Sequence, residues 1–464
     1  MRNVYVIGVH TIPFGKYVSN TIKELSALTY NGCLKDSGIS PKDIQAMWFS
    51  NTGWGEFGQG SIRGQVALRH TGVEKIPITN IENACAGAST AFHHAWYGVA
   101  GGLYDITLAV GVEKLYQKNK TAMFAGFMAG IDFENCISIA KEYQVYGLTE
   151  EQKKDVAVFR QKYQSKSLAI EKHPRSRISD RLRKLKDDIV VAIRIGEILG
   201  YDTVKELRKL SPGNRSPFMD IYGFAARKHM EQFGSTVEQL AMIASKNHFN
   251  GMLNPNAQYR FEVPVEKILS DRIVTWPLTR SMCAPIGDGA ASAILASEDM
   301  VKRFGVSSRA VKVRASVLGS GSSKPFGFDE PEIGERLSRL AYEIAGIGPQ
   351  DINLAEVHDA TAYGELRQTE NLGFCPKGEG GKFAESGNTA LHGRIPINTS
   401  GGLISRGHPV GASGLAQLHE IVTQLRGEAK QRQVNSPRIG LAENGGGALG
   451  YEEAAMCVHI LEKP

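Results

Sequence analysis

Apolar residues recur at helical spacing after residue 87, and an extended apolar run precedes them. The run "IPITNIE" (76–82) is typical of a β-strand, and "NACAGAST" (83–90) joins it to the helix. Because the apolar positions follow the period of a helix packed on a core, we predict a helix that ends near Gly101–Gly102. The apolar stripe consists of Ala88, Ala91, Phe92, Ala95, Trp96 and Val99. Cys85 therefore lies at the start of this helix.

Two interpretations of Cys85 follow from this position. The free N–H groups and the dipole at a helix N-terminus favour a thiolate, which indicates a nucleophile. Free cysteines are also among the most buried residues, and most of them are unreactive. The local pattern alone leaves both interpretations open.

The chain also repeats itself weakly. Three pairs of segments occur in the same order: "GISPKDIQAMWF" (38–49) with "GIGPQDINLAEV" (346–357), "CAGASTA" (85–91) with "PVGASGLA" (409–416), and "DITLAVGVE" (105–113) with "PRIGLAENG" (437–445). The order helix, strand, loop, helix, strand is thus used twice. We therefore predict two related α/β halves, each with a sheet covered by helices.

The duplicated loops carry different chemistry in the two halves. Where the first half has Cys85, the second has "SRGHPVGASG" with His408, and the strand end at Ser50–Asn51 corresponds to His358–Asp359. Active sites of open α/β sheets gather beyond the carboxyl ends of the strands. If the halves pack face to face, we expect one cysteine and two histidines to converge.

Bulk composition excludes several classes of protein. The 464 residues suggest two or three domain-sized units, and a formal charge of +6 with a pI near 8.8 does not by itself indicate nucleic-acid binding. No apolar run is long enough for a membrane span, and residues 1–16 lack the layout of a signal peptide. The six cysteines are scattered without a C-x-x-C pair. This disfavours a metal site or a disulfide framework and favours the cytoplasm.

A long basic stretch interrupts the first half. We predict a first half formed by residues 1–114 and 226–300, an inserted and largely helical domain at 115–225, and a second half at 301–464. Residues 172–186 carry seven Lys or Arg against one acid. They form either a solvated helical face or a lid whose cations, among them Arg181, Arg183 and Lys184, contact phosphates.

Five motifs in this order resemble the thiolase superfamily. They are "NACAGAST" (83–90), "MCAPIGDGAASAIL" (282–295), "EVHDATAYGE" (356–365), "NTSGGLISRGHPVGASG" (398–414) and "ENGGGALG" (443–450). The resemblance covers nearly the whole chain outside the insert. It implies an α/β protein with a duplicated five-layered α-β-α-β-α fold, an inserted loop domain and a homodimeric core.

The resemblance also implies site residues. Cys85 is then the acyl-accepting nucleophile, His408 activates it and holds the thioester oxygen, and His358 helps to build the same oxyanion site. The backbone N–H groups of Cys85 and Gly445 form a second oxyanion hole. Coenzyme A (CoA) and acyl-CoA are substrates, with Arg181, Arg183 and Lys184 expected to contact the phosphates of CoA, and no permanently bound cofactor is expected.

One departure concerns the second acid/base. Many thiolases use a second cysteine, but Glu443 and Ala360 occupy its two known positions here. Glu443 replaces the thiol if burial lifts its pKa toward 7. Alternatively His358 or a water molecule moves the proton, and Glu443 is structural.

The predicted function is cleavage of a 3-oxoacyl-CoA by CoA, with an aryl or branched substrate such as benzoylsuccinyl-CoA. Condensation uses the same groups, and a non-catalytic scaffold subunit is a further alternative. Retro-aldol relatives typically lack the cysteine, so Cys85 argues against that reaction. The H-D-A loop is similar to the branch of sterol-carrier-protein thiolases, several of whose relatives work with a small partner that bears a zinc ribbon and an OB fold.

Overall fold

The computed structural model describes residues 1–54, 59–116, 130–132, 141, 145, 147–164, 216–322 and 324–464. The basic run at 172–186, with Arg181, Arg183 and Lys184, lies outside the described residues. In the described part of the chain, no helix is both long and apolar enough to cross a membrane.

The strands of the described residues are β1 (Val4–Thr11), β2 (Ala46–Ser50), β3 (Ile78–Ile81), β4 (Ile106–Lys114), β5 (Ile273–Thr275), β6 (Leu278–Thr279), β7 (Asp288–Ser297), β8 (Val311–Ser320), β9 (Leu354–Glu356), β10 (Ile439–Gly446) and β11 (Ala455–Glu462). Nine of them form one mixed sheet whose two ends repeat the same pattern. The first half runs β3-β2-β4-β7-β1, and the second runs β8-β11-β10-β9 in the reverse sense. Strands β2, β3 and β4 are parallel, as are β9 and β10, whereas β7 and β11 are antiparallel to their neighbours.

The predicted duplication is therefore present in the topology. Strand β2 corresponds to β9 and β4 to β10, as the repeated segments require. A parallel bridge from Ala355 to Ile397 takes the place that β3 has in the first half. Within the sheet, strands β1 and β8 join the two halves through the pairs Tyr5–Lys312 and Val6–Val311, while β5 and β6 form a separate hairpin.

Thirteen α-helices lie in the described residues. They are α1 (Ile22–Ser37), α2 (Arg63–Ala67), α3 (Gly87–Ala100), α4 (Glu150–Phe159), α5 (Pro217–Phe233), α6 (Val237–Leu253), α7 (Val265–Ser270), α8 (Glu298–Phe304), α9 (Ile333–Ala345), α10 (Ala362–Asn371), α11 (Gly380–Glu385), α12 (Gly402–Arg406) and α13 (Ser413–Leu425). The helix predicted after residue 87 is thus α3, which ends at Ala100, so that prediction is confirmed.

Helices and sheet halves alternate in five layers. Helices α3 and α13 pack on each other, and their apolar faces share one core with both halves of the sheet. Helix α1 covers the outer face of the first half, and α9 covers the outer face of the second. The predicted α-β-α-β-α arrangement is confirmed.

The repeated "GI-x-P-x-D-I" pattern has a local structural cause. Gly38 and Gly346 end α1 and α9 with φ of 72° and 65°, a left-handed conformation that favours glycine. A 3-10 turn that begins at Pro41 or Pro349 follows each, and it leads into the next strand. The repeat therefore encodes one helix-to-strand connection, which is used twice.

The predicted division into halves and insert stays a prediction. Helix α5 crosses the proposed boundary at 225–226 without interruption. The apolar side chains of α5 and α6 share a core with those of α10 and with Ile404 of α12. Residues 217–253 therefore cover the second half from the side, next to the loops that follow its strands.

Candidate active site

A sharp turn carries Cys85 from β3 into α3. Residues Ala84–Ala86 form a 3-10 turn, and Ala84 has a φ of 46°, which is strained for a residue with a side chain. Gly446, at the end of β10, lies against this turn: a Cβ there would stand 2.3 Å from the nitrogen of Ala86 and 2.8 Å from that of Cys85. The second half thus holds the cysteine loop of the first.

The corresponding loop of the second half carries His408. Asp359 fixes the preceding helix, because its carboxyl group accepts from the N–H groups of Leu403 at 2.6 Å and Ile404 at 3.4 Å. Nδ1 of His408 lies 2.7 Å from Oγ of Ser413, the first residue of α13. The Ser413 hydroxyl in turn donates to the carbonyl of Pro409 at 3.0 Å.

His358 follows β9 and is fixed from β10. Its Nδ1 lies 2.9 Å from Nδ2 of Asn444, and the N–H of the preceding Val357 donates to Oδ1 of Asn398. The rings of His358 and His408 meet edge to face, with centroids 5.2 Å apart.

The expected convergence is present. Sγ of Cys85, one nitrogen of His358 and one nitrogen of His408 lie within 4.8 Å of one another. Both histidines are buried, and Cys85 keeps partial exposure. Groups this close can act as a nucleophile, its base and a hydrogen-bond donor, since catalytic hydrogen bonds often tighten only when substrate binds.

The hydrogen bonds assign opposite tautomers to the two histidines. The amide nitrogen of Asn444 can only donate, so Nδ1 of His358 accepts and its Nε2 carries the proton. The Ser413 hydroxyl uses its proton on Pro409, so it accepts from Nδ1 of His408 and leaves Nε2 unprotonated. His408 is thus equipped as a base and His358 as a donor. A protonated Nε2 also makes His358 a poor metal ligand.

Burial governs the proton affinities at this site. Desolvation raises the pKa of the Cys85 thiol to about 12, although hydrogen bonds from the N–H groups of Gly447 and of Cys85 itself act to lower it. Burial lowers the pKa of His358 to about 3, and burial with the charge of Arg406 nearby places the pKa of His408 well below its usual range. The N–H groups at the Cys85 thiol act in the direction expected of a helix start, but burial outweighs them, so the thiol of the unliganded site is protonated near neutral pH.

Glu443 lies beside this group at the end of β10. Its Oε2 accepts from the backbone N–H of His358 at 2.8 Å, and its Oε1 has no hydrogen-bond partner among the described residues. Burial, assisted by Glu453, raises the pKa of Glu443 to about 8. A carboxyl group in this state holds a proton near neutral pH and can release it.

Gly445 and Ala360, the other two positions that the sequence indicates, also lie near this group. Gly445 follows Glu443 in β10, where it pairs with Met456. Ala360 is buried, and its carbonyl accepts from the N–H of Ala284. The thiol of the adjacent Cys283 donates to the carbonyl of Thr279, so this cysteine is engaged elsewhere.

The buried carboxyl group of Glu113 forms hydrogen bonds with loops of both halves. Glu113 ends β4 and accepts from the N–H groups of Thr52 and Gly53 in the first half and of Gly411 in the second. Its bond to Gly411 spans 298 residues of sequence. Glu113 is fully buried, and it ties the His408 loop to the sheet that carries Cys85.

Sequence reasoning missed several residues around the site. Ser413 and Asn444 are within the quoted motifs, so their hydrogen-bonding side chains were a usable signal. Tyr222 of α5 interacts electrostatically with Cys85 and Glu443, and burial raises its pKa well above the usual range. Nothing in the sequence indicates Tyr222, because it reaches the site only through the packing of α5 on the second half.

Comparisons with known proteins find two family models that match this chain. Residues 4–209 match the model of the thiolase N-terminal domain, and residues 334–463 match the model described as thiolase C-terminal domain-like. The chain is 32% identical to an acetyl-CoA acetyltransferase of Methanothermobacter thermautotrophicus over the full length of both chains. It is 30% identical to a benzoylsuccinyl-CoA thiolase subunit of Thauera aromatica, over 96% of this chain and 95% of that one.

Two solved structures share the fold. The Ltp2–ChsH2(DUF35) aldolase superposes with a TM-score of 0.69 at 17% identity, over 99% of this chain and 98% of that one. Human mitochondrial 3-ketoacyl-CoA thiolase superposes with a TM-score of 0.59 at 15% identity, over 100% and 99% of the two chains. At these identities the likeness shows the fold alone.

Proposed function

Because the chain belongs to the thiolase family and is an acyl-CoA acyltransferase, we propose that it cleaves a 3-oxoacyl-CoA with CoA through an acyl-enzyme on Cys85. The observation that carries the proposal is the approach of Cys85 to two histidines in opposite tautomers. Thiolysis needs a base for the thiol and a donor for an oxygen that becomes negative, and the two rings supply one each.

In the first step Nε2 of His408 takes the proton of the Cys85 thiol. Sγ attacks the β-carbonyl carbon, and the resulting alkoxide accepts from the backbone N–H groups of Cys85 and Gly445. Collapse of the alkoxide breaks the bond between the α and β carbons. The leaving group is the enolate of a shorter acyl-CoA, whose oxygen accepts from Nε2–H of His358 and from the newly protonated His408.

In the second step the protonated carboxyl group of Glu443 gives its proton to the α-carbon of the enolate. After the product leaves, the Glu443 carboxylate takes the proton of the CoA thiol. The CoA thiolate attacks the acyl-enzyme, and Sγ of Cys85 leaves and recovers its proton from His408. All protons are returned at the end of the cycle, so no cofactor is needed.

We propose an aryl or branched acyl group as the substrate class, with benzoylsuccinyl-CoA as one example. The relative from Thauera aromatica is named for that compound. Helix α5 also presents two half-buried aromatic residues, Phe218 and Tyr222, toward the cysteine loop. Cζ of Phe218 and Cβ of Ala84 both lie beside Gly130, at 3.1 and 3.8 Å from where its Cβ would be. Aromatic rings pack favourably on a flat acyl group.

We further propose a homodimeric core that works with a smaller partner subunit. Family membership supports the dimer, and the word "subunit" in the name of the Thauera aromatica relative supports a second chain. Mass measurement of the protein alone and with a candidate partner tests both. A monomer that is fully active without a partner contradicts this part of the proposal.

The test separates acylation from carbon–carbon cleavage. We expect Glu443→Gln to acylate Cys85 from a simple thioester but to lose about 10²–10⁴-fold in cleavage, the usual range for a general acid/base. Exchange of solvent deuterium into the α-carbon of the product should slow in parallel. The matched control is Glu428→Gln, because Glu428 is an exposed acid paired with Arg309.

Two outcomes contradict the assignment. If cleavage and exchange survive in Glu443→Gln while His358→Ala abolishes both, the proton belongs to His358. If linear 3-oxoacyl-CoAs react at least as fast as aryl and branched ones, with and without the partner, the substrate class is wrong.

A further inference from the structure

A second buried carboxyl group lies next to Glu443 and has no part in the mechanism above. The short turn 447–454, which joins β10 to β11, ends with Glu453 and Ala454. Glu453 and Glu443 both border the same glycine. A Cβ on Gly445 would stand 2.9 Å from Cγ of Glu453 and 3.6 Å from Oε1 of Glu443. The two carboxyl groups are therefore neighbours across Gly445.

A buried arginine fixes Glu453. Nη1 of Arg367, on α10, donates to Oε1 of Glu453 at 2.9 Å, and its Nε donates to Oε2 of Glu332 at 2.6 Å. These three side chains are each less than a tenth exposed. One guanidinium between two carboxylates leaves one unit of negative charge in the cluster, and this charge is held at a fixed place beside Glu443.

Some buried polar atoms of these side chains lack hydrogen bonds, which indicates a role beyond a structural ion pair. Oε1 of Glu443, Oε2 of Glu453 and Nη2 of Arg367 are buried without a hydrogen-bond partner among the described residues. A purely structural ion pair normally satisfies such atoms, because each unpaired buried group costs about 1–3 kcal/mol. Each of the two carboxyl groups thus keeps one oxygen that is available to hold a proton.

The groups that act on the charge of Glu443 come from several elements packed around it. These are Tyr222 from α5, the backbone N–H of His358, Arg367 from α10, Glu453 from the turn 447–454 and Cys457 from β11. The tyrosine and Cys457 are neutral near pH 7, because burial raises the pKa of each. The fixed charges are those of Arg367 and the two acids bound to it.

We propose that Glu453 is a positioning residue of the reaction: its carboxylate, fixed by Arg367, keeps the proton of the carboxyl pair on Glu443. Two neighbouring carboxyl groups disfavour simultaneous ionisation. Burial raises the pKa of Glu453, but the guanidinium of Arg367 lowers it and bonds to this carboxyl group directly, which it does not do with Glu443. Glu453 is therefore the member of the pair that ionises first. Glu443 then starts each cycle protonated, as it must to give a proton to the enolate. The inference rests on the proposed role of Glu443.

The pH dependence of thiolysis tests this role. Glu443 must be protonated in the free enzyme, so kcat/KM for cleavage falls as pH rises through its pKa. Glu453→Gln keeps an acceptor for Arg367 but removes the negative charge, which lowers the pKa of Glu443. We expect the alkaline limb to move to lower pH by about one unit. Iodoacetamide labelling of Cys85 should stay within about twofold, since the variant leaves the nucleophile and its base in place.

A control variant and a second variant complete the test. The control is Glu452→Gln, which changes the adjacent acid. The carboxyl group of Glu452 accepts from the N–H groups of Ser322 and of Ile333, the first residue of α9. This variant should leave the alkaline limb in place. If Glu453→Gln fails to fold, the variant Glu332→Gln takes its place in the test. It removes the other negative charge that neutralises Arg367, so it should move the alkaline limb in the same direction but by less.

The outcomes separate this inference from its premise. An unmoved limb in the folded variant, with a rate loss like that of Glu452→Gln, overturns the role of Glu453. If instead Glu443→Gln cleaves normally, the acid/base role of Glu443 is itself wrong, whatever Glu453 does.

Discussion

The Cys85 loop and the His408 loop occupy the same place in the two halves, yet they prepare their residues in different ways. Each loop follows the sheet, forms a 3-10 turn and opens a central helix. The Cys85 loop strains its backbone at Ala84, and Sγ accepts from the N–H of Cys85 and from that of Gly447 in the second half. The His408 loop uses a side chain, Ser413, to set the tautomer of its histidine.

The corresponding serine of the first half shows how the two loops diverged. Ser89 lies at the position of Ser413 in the repeat, but its buried hydroxyl has no partner among the described residues. It contacts the second helix instead: a Cβ on Gly414 would stand 2.2 Å from Oγ of Ser89. One copy of the serine orients a base, and the other lies where the two helix starts meet. A duplicated backbone can therefore supply two different catalytic groups.

The largest expected effect comes from removing the thiol of the first loop. Cys85→Ala should lose on the order of 10⁴–10⁶-fold in thiolysis, because no other group can carry the acyl intermediate. Mass spectrometry after incubation with an acyl-CoA should find the acyl group on Cys85 in the native protein. The matched control is Cys283→Ala, another partly exposed cysteine, which should stay active. An acyl group on a different cysteine, with Cys85→Ala still active, would contradict the assignment.

The second test compares the two histidines. His408→Ala removes the base and should slow alkylation of Cys85 and thiolysis together, thiolysis by about 10²–10⁴-fold. His358→Ala removes a donor to the enolate oxygen and should spare alkylation while thiolysis falls by about 10²–10³-fold. Iodoacetamide kinetics and steady-state assays on both variants give the answer. Equal effects on alkylation would show that the opposite tautomers have no separate functions.

The third test concerns the reciprocal packing of the halves. Gly446 of β10 lies against the Cys85 loop, and Gly111 of β4 lies against the His408 loop, where a Cβ would stand 2.4 Å from the carbonyl of Gly411. Each Gly→Ala variant should lower the free energy of unfolding by about 1–3 kcal/mol, as overpacking does. Urea titration measures this loss. Gly327→Ala is the control, since no heavy atom lies within 4 Å of its added Cβ, and equal stability of all three variants would refute the argument.

The smallest expected effect concerns a connection between strands that differs in length between the two halves. Strands β4 and β7 are separated by residues 115–287, whereas β10 and β11 are separated by 447–454. If the basic run in the longer connection binds the phosphates of CoA, reversing Arg181, Arg183 and Lys184 to Glu should raise KM for CoA. Each contact should contribute about 0.5–1 kcal/mol and weaken with salt. Lys42→Glu, at an exposed lysine of the first half, is the control. An unchanged KM at low salt would show that the basic run does not bind CoA and is instead a solvated surface or a surface for a partner.

Much of this arrangement could be predicted from the sequence because it follows from short-range rules. The apolar stripe of α3, the turns after Gly38 and Gly346 and the three repeated segments each encode local backbone structure, and together they indicate two packed halves. The convergence of Cys85, His358 and His408 followed from their equivalent positions. The neutral thiol did not follow, because burial by the second half outweighs the helix start. Tyr222, Arg367 and Glu453 were missed, since only tertiary packing brings α5, α10 and the turn 447–454 to Glu443.

The bond from Glu113 to Gly411 has a consequence for synthesis of the chain. Glu113 leaves the ribosome long before residue 411 exists, so the carboxylate must wait for its last donor until nearly the whole chain has been made. Cys85 waits likewise for Gly446 and Gly447. The surroundings of the nucleophile are therefore complete only when β10 and the turn after it dock, and a chain that ends before Gly446 carries Cys85 without these contacts. Acylation of Cys85 is thus a sensitive measure of complete folding.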